Sequence, residues 1–341
     1  MSPIKPVALA LIAVALVGLF TLGSDAPIVD PDLPLATSAY VLSDDVDDYA
    51  DFMMSGGPPP DGIPSIDAPK FLNADEARLS AGDKVIGFSH NGQARAYPQR
   101  ILVHHEIVND AVGGTNVAIT YCPLTATAQG FKRGDTTLGV SGQLLNSNLV
   151  MFDRATDSYF SQIAATGLTG PHRGETLDEV NLIWTTWDKW RAAHPDTKVL
   201  SEDTDYLRNY NDDPYGRYNP IGGYYQARNV LFPLLHESDR HHSKEMVVGA
   251  RSSDNSAYFV LSTLKDKRVL TTDSFLAVYD AALDTGRIYP RPDADVTPHD
   301  DGTYAVNGKR YAADALPFDE QVAVEAFFFA WHAFYPDSER P

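Results

Sequence analysis

Alternation of large and small side chains is clearest over Val117 to Cys122, where Val117, Ile119 and Tyr121 interleave with Ala118, Thr120 and Cys122. A period of two predicts a strand whose bulky face fills a core and whose small-residue face leaves room beside the sulfur. Lys84 to Tyr97 predicts two further strands around Asn91-Gly92, a dipeptide suited to a tight hairpin. Between these segments, Tyr97 to Asp110 has helical spacing, with Pro98 near its start and Ile101, Leu102 and Val108 on its apolar side. His105 falls on that same side. Gly113-Gly114 turns the chain into the Cys122 strand. Beyond it, Gln129 to Arg133 continues as strand, Gly134-Asp135 turns, Leu138 to Val140 pairs back, and Leu149 to Arg154 forms another strand. Thr185 to Ala193 predicts a helix carrying Trp187 and Trp190, closed by His194-Pro195-Asp196-Thr197.

The pattern of the first half returns in the second. Val117 to Arg133 aligns without gaps on Phe275 to Arg291, matching Tyr121 to Tyr279, Thr127 to Thr285 and Arg133 to Arg291. Trp190-x-Ala192-x-x-Pro195-Asp196-Thr197 matches Trp331-x-Ala333-x-x-Pro336-Asp337-Ser338, and Val85-Ile86-Gly87 matches Val247-Val248-Gly249. Three matches in one order predict an internal duplication. The expected fold is α+β: two related, mainly antiparallel units with packed helices, spanning 70–205 and 245–341. Residues 27–69 read as an extended, Pro- and Asp-rich lead-in, and 206–244 as a long Tyr-, Asn- and Gly-rich connector of the kind that covers sites. Asp280 stands where the first copy has Cys122, and nothing in the second copy matches His104-His105. The first copy is therefore the expected active one and the second its degenerate partner.

Composition narrows the function. The net charge of −19, with no local basic cluster, argues against nucleic acid as a partner. At 43% hydrophobic residues the chain has material for one or two packed cores. Its single cysteine excludes an internal disulfide and a Cys-x-x-Cys pair. Lys5, the apolar run Val7 to Gly23 and the small residues of Ser24-Asp25-Ala26 predict a signal peptide over 1–26, hence an exported, periplasmic or extracellular protein. An uncleaved membrane anchor is the alternative for that run.

Cys122 and His105 are the centre of the expected chemistry. Two functional classes use them. In the first, favoured, class Cys122 and His105, with His104, Met151 or the loop pair His241-His242, bind a soft metal ion, copper foremost, for metal handling or redox. In the second, Cys122 is a nucleophile activated by His105, with Glu106 or Asp110 orienting the imidazole and Gln162 donating to an oxyanion, in acyl transfer or hydrolysis. A third reading is a non-catalytic binding module in which the thiol only packs.

Several motifs are longer than such arguments need. Tyr-Pro-x-x-Ile-Leu-x-x-His-Glu-Ile-Val-Asn-Asp, Tyr-Cys-Pro-Leu-Thr-x-Thr-Ala, Gly-Val-Ser-Gly, Asn-Ser-Asn-Leu-Val-Met-Phe-Asp-Arg and Ser-Gln, beginning at Tyr97, Tyr121, Gly139, Asn146 and Ser161, resemble domain-of-unknown-function family three-one-seven-nine. Thr185-Thr186-Trp187, Asp213-Pro214-Tyr215 and Lys244-Glu245 also fit, so the resemblance runs from about residue 70 to the C-terminus. It implies an exported prokaryotic protein and names no activity. Many members carry a second Cys where this chain has Thr125, so the resemblance implies no dithiol chemistry here.

Overall fold

A computed structural model describes residues 33–341, and the expected signal segment lies outside the described residues. The fold is mostly β, with five helices of seven residues each among the described residues, in keeping with α+β. Nearly every ladder is antiparallel; Lys198–Leu200 beside Gln93–Pro98 is the exception among the paired strands. No helix among the described residues is long and apolar enough to cross a membrane.

The expected hairpin forms as Lys84–His90 and Gln93–Pro98, with Asn91 and Gly92 at φ 46° and 76°, the left-handed pair a two-residue turn demands. The helix that follows is shorter than its spacing predicts. It covers Gln99–His105 and stops because Glu106 takes φ 58°, after which Ile107–Val112 runs as a strand. Ile107 and Val108 are β-branched, stiff at χ1, and suit that strand better than a continuing helix. Thr115–Cys122 lies between Ile107–Val112 and Thr127–Lys132, and Glu179–Val180 adds the outer strand of this sheet.

Two local expectations need correction. Leu138–Leu145 does not pair back on Thr127–Lys132; it pairs with Asn148–Asp153 in a separate five-stranded sheet. The small-residue face of the Cys122 strand is not open either. Val117, Ile119 and Tyr121 enter one apolar cluster, while Ala118 and Cys122 enter a second with Leu124, Leu149 and Met151. Cores on both faces leave no free side. The lead-in is also more regular than its composition predicts. It holds the helix Val46–Phe52, whose buried Tyr49 hydroxyl donates to the Phe334 carbonyl at 3.3 Å.

Some local geometry of the first half recurs in the second. The helix Leu261–Lys267 ends at Arg268 with φ 70°, as Gln99–His105 ends at Glu106. Tyr121 N–H donates to the Glu106 carbonyl at 2.7 Å, and Tyr279 N–H to the Arg268 carbonyl at 2.9 Å. Ala126 and Asp284, in the turns after the two strands, take φ 52° and 54°. Trp190 Nε1 donates to Thr197 Oγ1 and Trp331 Nε1 to Ser338 Oγ, both at 3.0 Å.

Candidate functional site

The Cys122 strand ends in the turn Pro123-Leu124-Thr125-Ala126, whose Thr125 carbonyl accepts the Phe327 N–H at 2.9 Å. Cys122 is 1% exposed, and its thiol points to the Ser147 carbonyl, 3.9 Å away. Burial pushes the thiol up to about 11, and the nearby Glu106 charge adds to this. Donors from the Thr125 hydroxyl, the Thr125 backbone and the Leu149 backbone pull the other way without winning. The thiol is thus protonated at neutral pH, yet it sits in a cradle of donors suited to an anion.

Glu106 is a buried carboxyl whose charge acts on the thiol. It is 8% exposed, and its carboxyl makes no hydrogen bond or ion pair among the described residues. Burial alone raises it to about 8. A non-glycine residue held at φ 58° costs on the order of 1 kcal/mol, and this one is fixed there by its backbone bonds to Leu102 and Tyr121. Because the folded pKa is raised, Glu106 favours folding most below the unfolded carboxyl value, and that contribution is lost as pH rises through about 8. Glu106→Gln should therefore gain stability over wild type as pH is raised from 5 to 9, by up to about 1.4 kcal/mol for each pH unit separating the two pKa values. Urea unfolding at the two pH values measures it; equal differences at both would contradict the assignment.

The connector closes the site. Burial raises the pKa of Tyr215, then the charges of Glu106 and Cys122 raise it further, and its hydroxyl has no hydrogen-bond partner among the described residues. The neighbouring Tyr224 hydroxyl donates to the Leu124 carbonyl at 2.9 Å, and its ring is 6.0 Å from that of Tyr215. Lys244 Nζ lies 3.6 Å from the Tyr224 ring centre and 4.8 Å from that of Phe329, and donates to the Asn229 carbonyl at 2.9 Å. Burial lowers this lysine to about 8. The cation–π contact holds Tyr224 over the turn that carries Thr125.

The histidine partner expected for Cys122 is not available. His105 Nδ1 donates to the Pro64 carbonyl at 2.8 Å, and its Nε2 accepts the Tyr210 hydroxyl at 2.7 Å. Both nitrogens are spent, and burial lowers its pKa first of all. His104 Nε2 faces the Asp212 carbonyl at 2.9 Å. Asp110 does not back His105; it accepts Tyr97 Oη at 2.7 Å and lies 3.7 Å from Arg95 Nε. Gln162 cannot donate to an oxyanion either. Its Nε2 donates to Thr120 Oγ1 at 2.7 Å and the Thr127 carbonyl at 3.2 Å, and its Oε1 accepts Asn148 Nδ2 at 2.8 Å. It acts at a distance, since Asn148 Nδ2 also donates to Thr125 Oγ1 at 3.0 Å and so aims that hydroxyl.

The donor set expected for copper does not converge. Met151 is fully buried in the apolar cluster that includes Cys122. His241 faces Tyr258 Oη at 3.2 Å, and His242 Nδ1 accepts the Lys244 N–H at 3.1 Å. Among the described residues no group of three His, Cys, Asp or Glu side chains is placed to hold a metal. Tyr215, Tyr224, Thr125 and Lys244 escaped the sequence reading because the turn and connector that bring them together are not periodic. The Asp213-Pro214-Tyr215 and Lys244-Glu245 motifs were the available signal.

The fold and site define a mostly β protein with a buried thiol and a buried carboxyl whose charge acts on it. The profile of the family described as "Protein of unknown function (DUF3179)" matches residues 60–338, and the chain belongs to that family. Neither a curated protein nor a solved structure matches the chain.

Proposed function

We propose that the protein is a cysteine-nucleophile enzyme of the hydrolase or acyltransferase class, with Glu106 rather than His105 as the base. The supporting observation is the buried Glu106 carboxyl, unpartnered and close enough to Cys122 to raise its thiol. In this reading ionised Glu106 takes the thiol proton, and the thiolate adds to a substrate carbonyl. The leaving group departs with a proton returned by Glu106, and water or an acceptor then releases the acyl group. Thr125 and the Leu149 backbone N–H steady the sulfur as it gains charge. Tyr215 and Tyr224 must move aside for substrate to enter.

The internal repeat belongs to this proposal. We read the second unit as a degenerate copy, on the strength of the paired helix ends, strand turns and Trp anchors. In that copy Asp280 Oδ1 accepts the Ala282 and Leu283 N–H groups at 3.0 and 3.2 Å. Leu283 corresponds to Thr125, so the equivalent cradle holds a carboxylate. A cradle suited to an anion at position 280 favours a thiolate role for Cys122 over plain packing.

Incubation with p-nitrophenyl acetate at mildly alkaline pH tests the reading. The thiolate should displace p-nitrophenolate, and peptide mass spectrometry should find the acetyl group on Cys122. Cys122→Ser should remove both that adduct and the accompanying p-nitrophenolate burst. An adduct on lysines alone would overturn the proposal. Copper retained in equimolar amount after purification without added metal would revive the metal reading instead.

A further inference from the structure

A cleft of about 730 Å³ lies away from Cys122, lined by residues from both halves of the chain. It is lined by His194, whose ring sits 4.1 Å from that of Trp190. The lining also includes Asp280, Arg287, Glu320, Asp314 and Asp301. A cleft of this size suits a small organic molecule rather than a bare ion.

Its polar groups are unequally satisfied. Arg287 is 7% exposed, and its Nε donates to Asp280 Oδ2 at 2.8 Å. Its Nη1 forks onto Glu320 at 3.0 and 3.2 Å. Nη2 has no hydrogen-bond partner among the described residues, although Arg287 lines the cleft. Nη2 thus faces the cleft as a free donor edge, open to an acceptor on a bound molecule. Asp314 accepts no hydrogen bond and joins no ion pair among the described residues. Arg287 is offset by Asp280 and Glu320, so Asp314 and Asp301 leave the cleft negative, and only Asp301 is paired, with Arg310 at 2.7 Å. Burial lowers the His194 pKa, with Arg287 adding to the effect, so this imidazole does not cancel that charge at neutral pH.

We propose that this cleft binds a small organic amine that also carries a hydroxyl or amide oxygen, its cation toward Asp314 and Asp301 and its oxygen on Arg287 Nη2. The fit is chemical: an amine answers the unpaired carboxylate, and a neutral oxygen answers a guanidinium whose charge is already matched. An anionic ligand meets the wrong field, and a neutral sugar leaves Asp314 unanswered. The site is separate from the Cys122 chemistry and does not depend on it.

Calorimetric titration of the whole protein with D-glucosamine and with L-argininamide tests this, with D-glucose as the neutral control. At least one amine should bind with one-to-one stoichiometry and weaken as salt is added. Asp314→Lys and Asp301→Asn alter exposed residues and should leave the fold intact; the first should weaken binding roughly tenfold or more. Absence of binding by both amines, unchanged affinity in Asp314→Lys, or glucose binding as tightly as glucosamine would each overturn the proposal.

Discussion

Arg251→Met is expected to cost about 3–5 kcal/mol of folding stability, because it strands a carboxylate in the interior. Arg251 Nη2 lies 3.0 Å from Glu179 Oε2, and both side chains are 1% exposed. The Arg251 guanidinium also sits 4.3 Å from the centre of the Tyr40 ring. Glu179 belongs to the edge strand of the Cys122 sheet and takes Gln129 Nε2 at 2.8 Å on its other oxygen. Arg251 ends the strand Met246–Arg251, so the pair ties that strand to the Cys122 sheet through a dry contact. Deleting the cation leaves Glu179 with only neutral donors, from Gln129 and Tyr40, short of what a buried charge needs. The double variant Arg251→Met/Glu179→Leu should recover much of the loss, because neither charge is then stranded. Urea denaturation decides it: a single-variant loss below about 1 kcal/mol, the range of an exposed pair, would show that the contact is not dry.

The second large effect concerns two glycines and two tryptophans. A Cβ built on Gly249 would fall 2.2 Å from the Trp331 ring, and one built on Gly87 2.2 Å from the Trp190 ring. Neither ring can retreat, since each is 1% exposed or less and each Nε1 is bonded at 3.0 Å. Gly87→Ala and Gly249→Ala should each cost about 1–3 kcal/mol or more, by overpacking. Gly222→Ala is the control. Its nearest neighbour is Arg217 Nε at 3.7 Å, and its change should stay within about 0.5 kcal/mol. Thermal melts of the three variants measure this. Equal, large losses at the two buried glycines accord with the proposed duplication; a large loss at only one would weaken it.

Much of this was legible in the sequence, for identifiable reasons. Asn91-Gly92 named its hairpin because few dipeptides accept two left-handed residues, and alternation named the Cys122 strand. The echo of Trp190 in Trp331 pointed to a shared anchor, and each indole indeed bonds the Thr or Ser seven residues on. The site was half legible. Cys122 and Glu106 stood in the motif, but the continuous helical spacing of Tyr97 to Asp110 hid the left-handed stop at Glu106. That stop ends the helix at His105, and Glu106, not His105, is the group whose charge raises the thiol. A helical wheel carries no information about where a helix ends when no glycine marks the end. The tyrosines over the thiol come from a non-repetitive segment roughly a hundred residues away, beyond the reach of any local pattern.

The most direct test of the central claim, that Glu106 governs the Cys122 thiol, is the pH profile of Cys122 acylation in wild type and Glu106→Gln. The carboxyl and thiol titrate as one pair, whose first proton is expected to leave near the raised value of Glu106, about 8. Wild-type acylation should therefore rise with a midpoint near that pH. In Glu106→Gln the step should vanish, leaving only a later rise toward the thiol's own range, which lies near 11 with Glu106 present. Superimposable profiles for the two proteins would contradict the account, as would a wild-type midpoint near about 6.5, the range of an imidazole base, that disappears in His105→Ala.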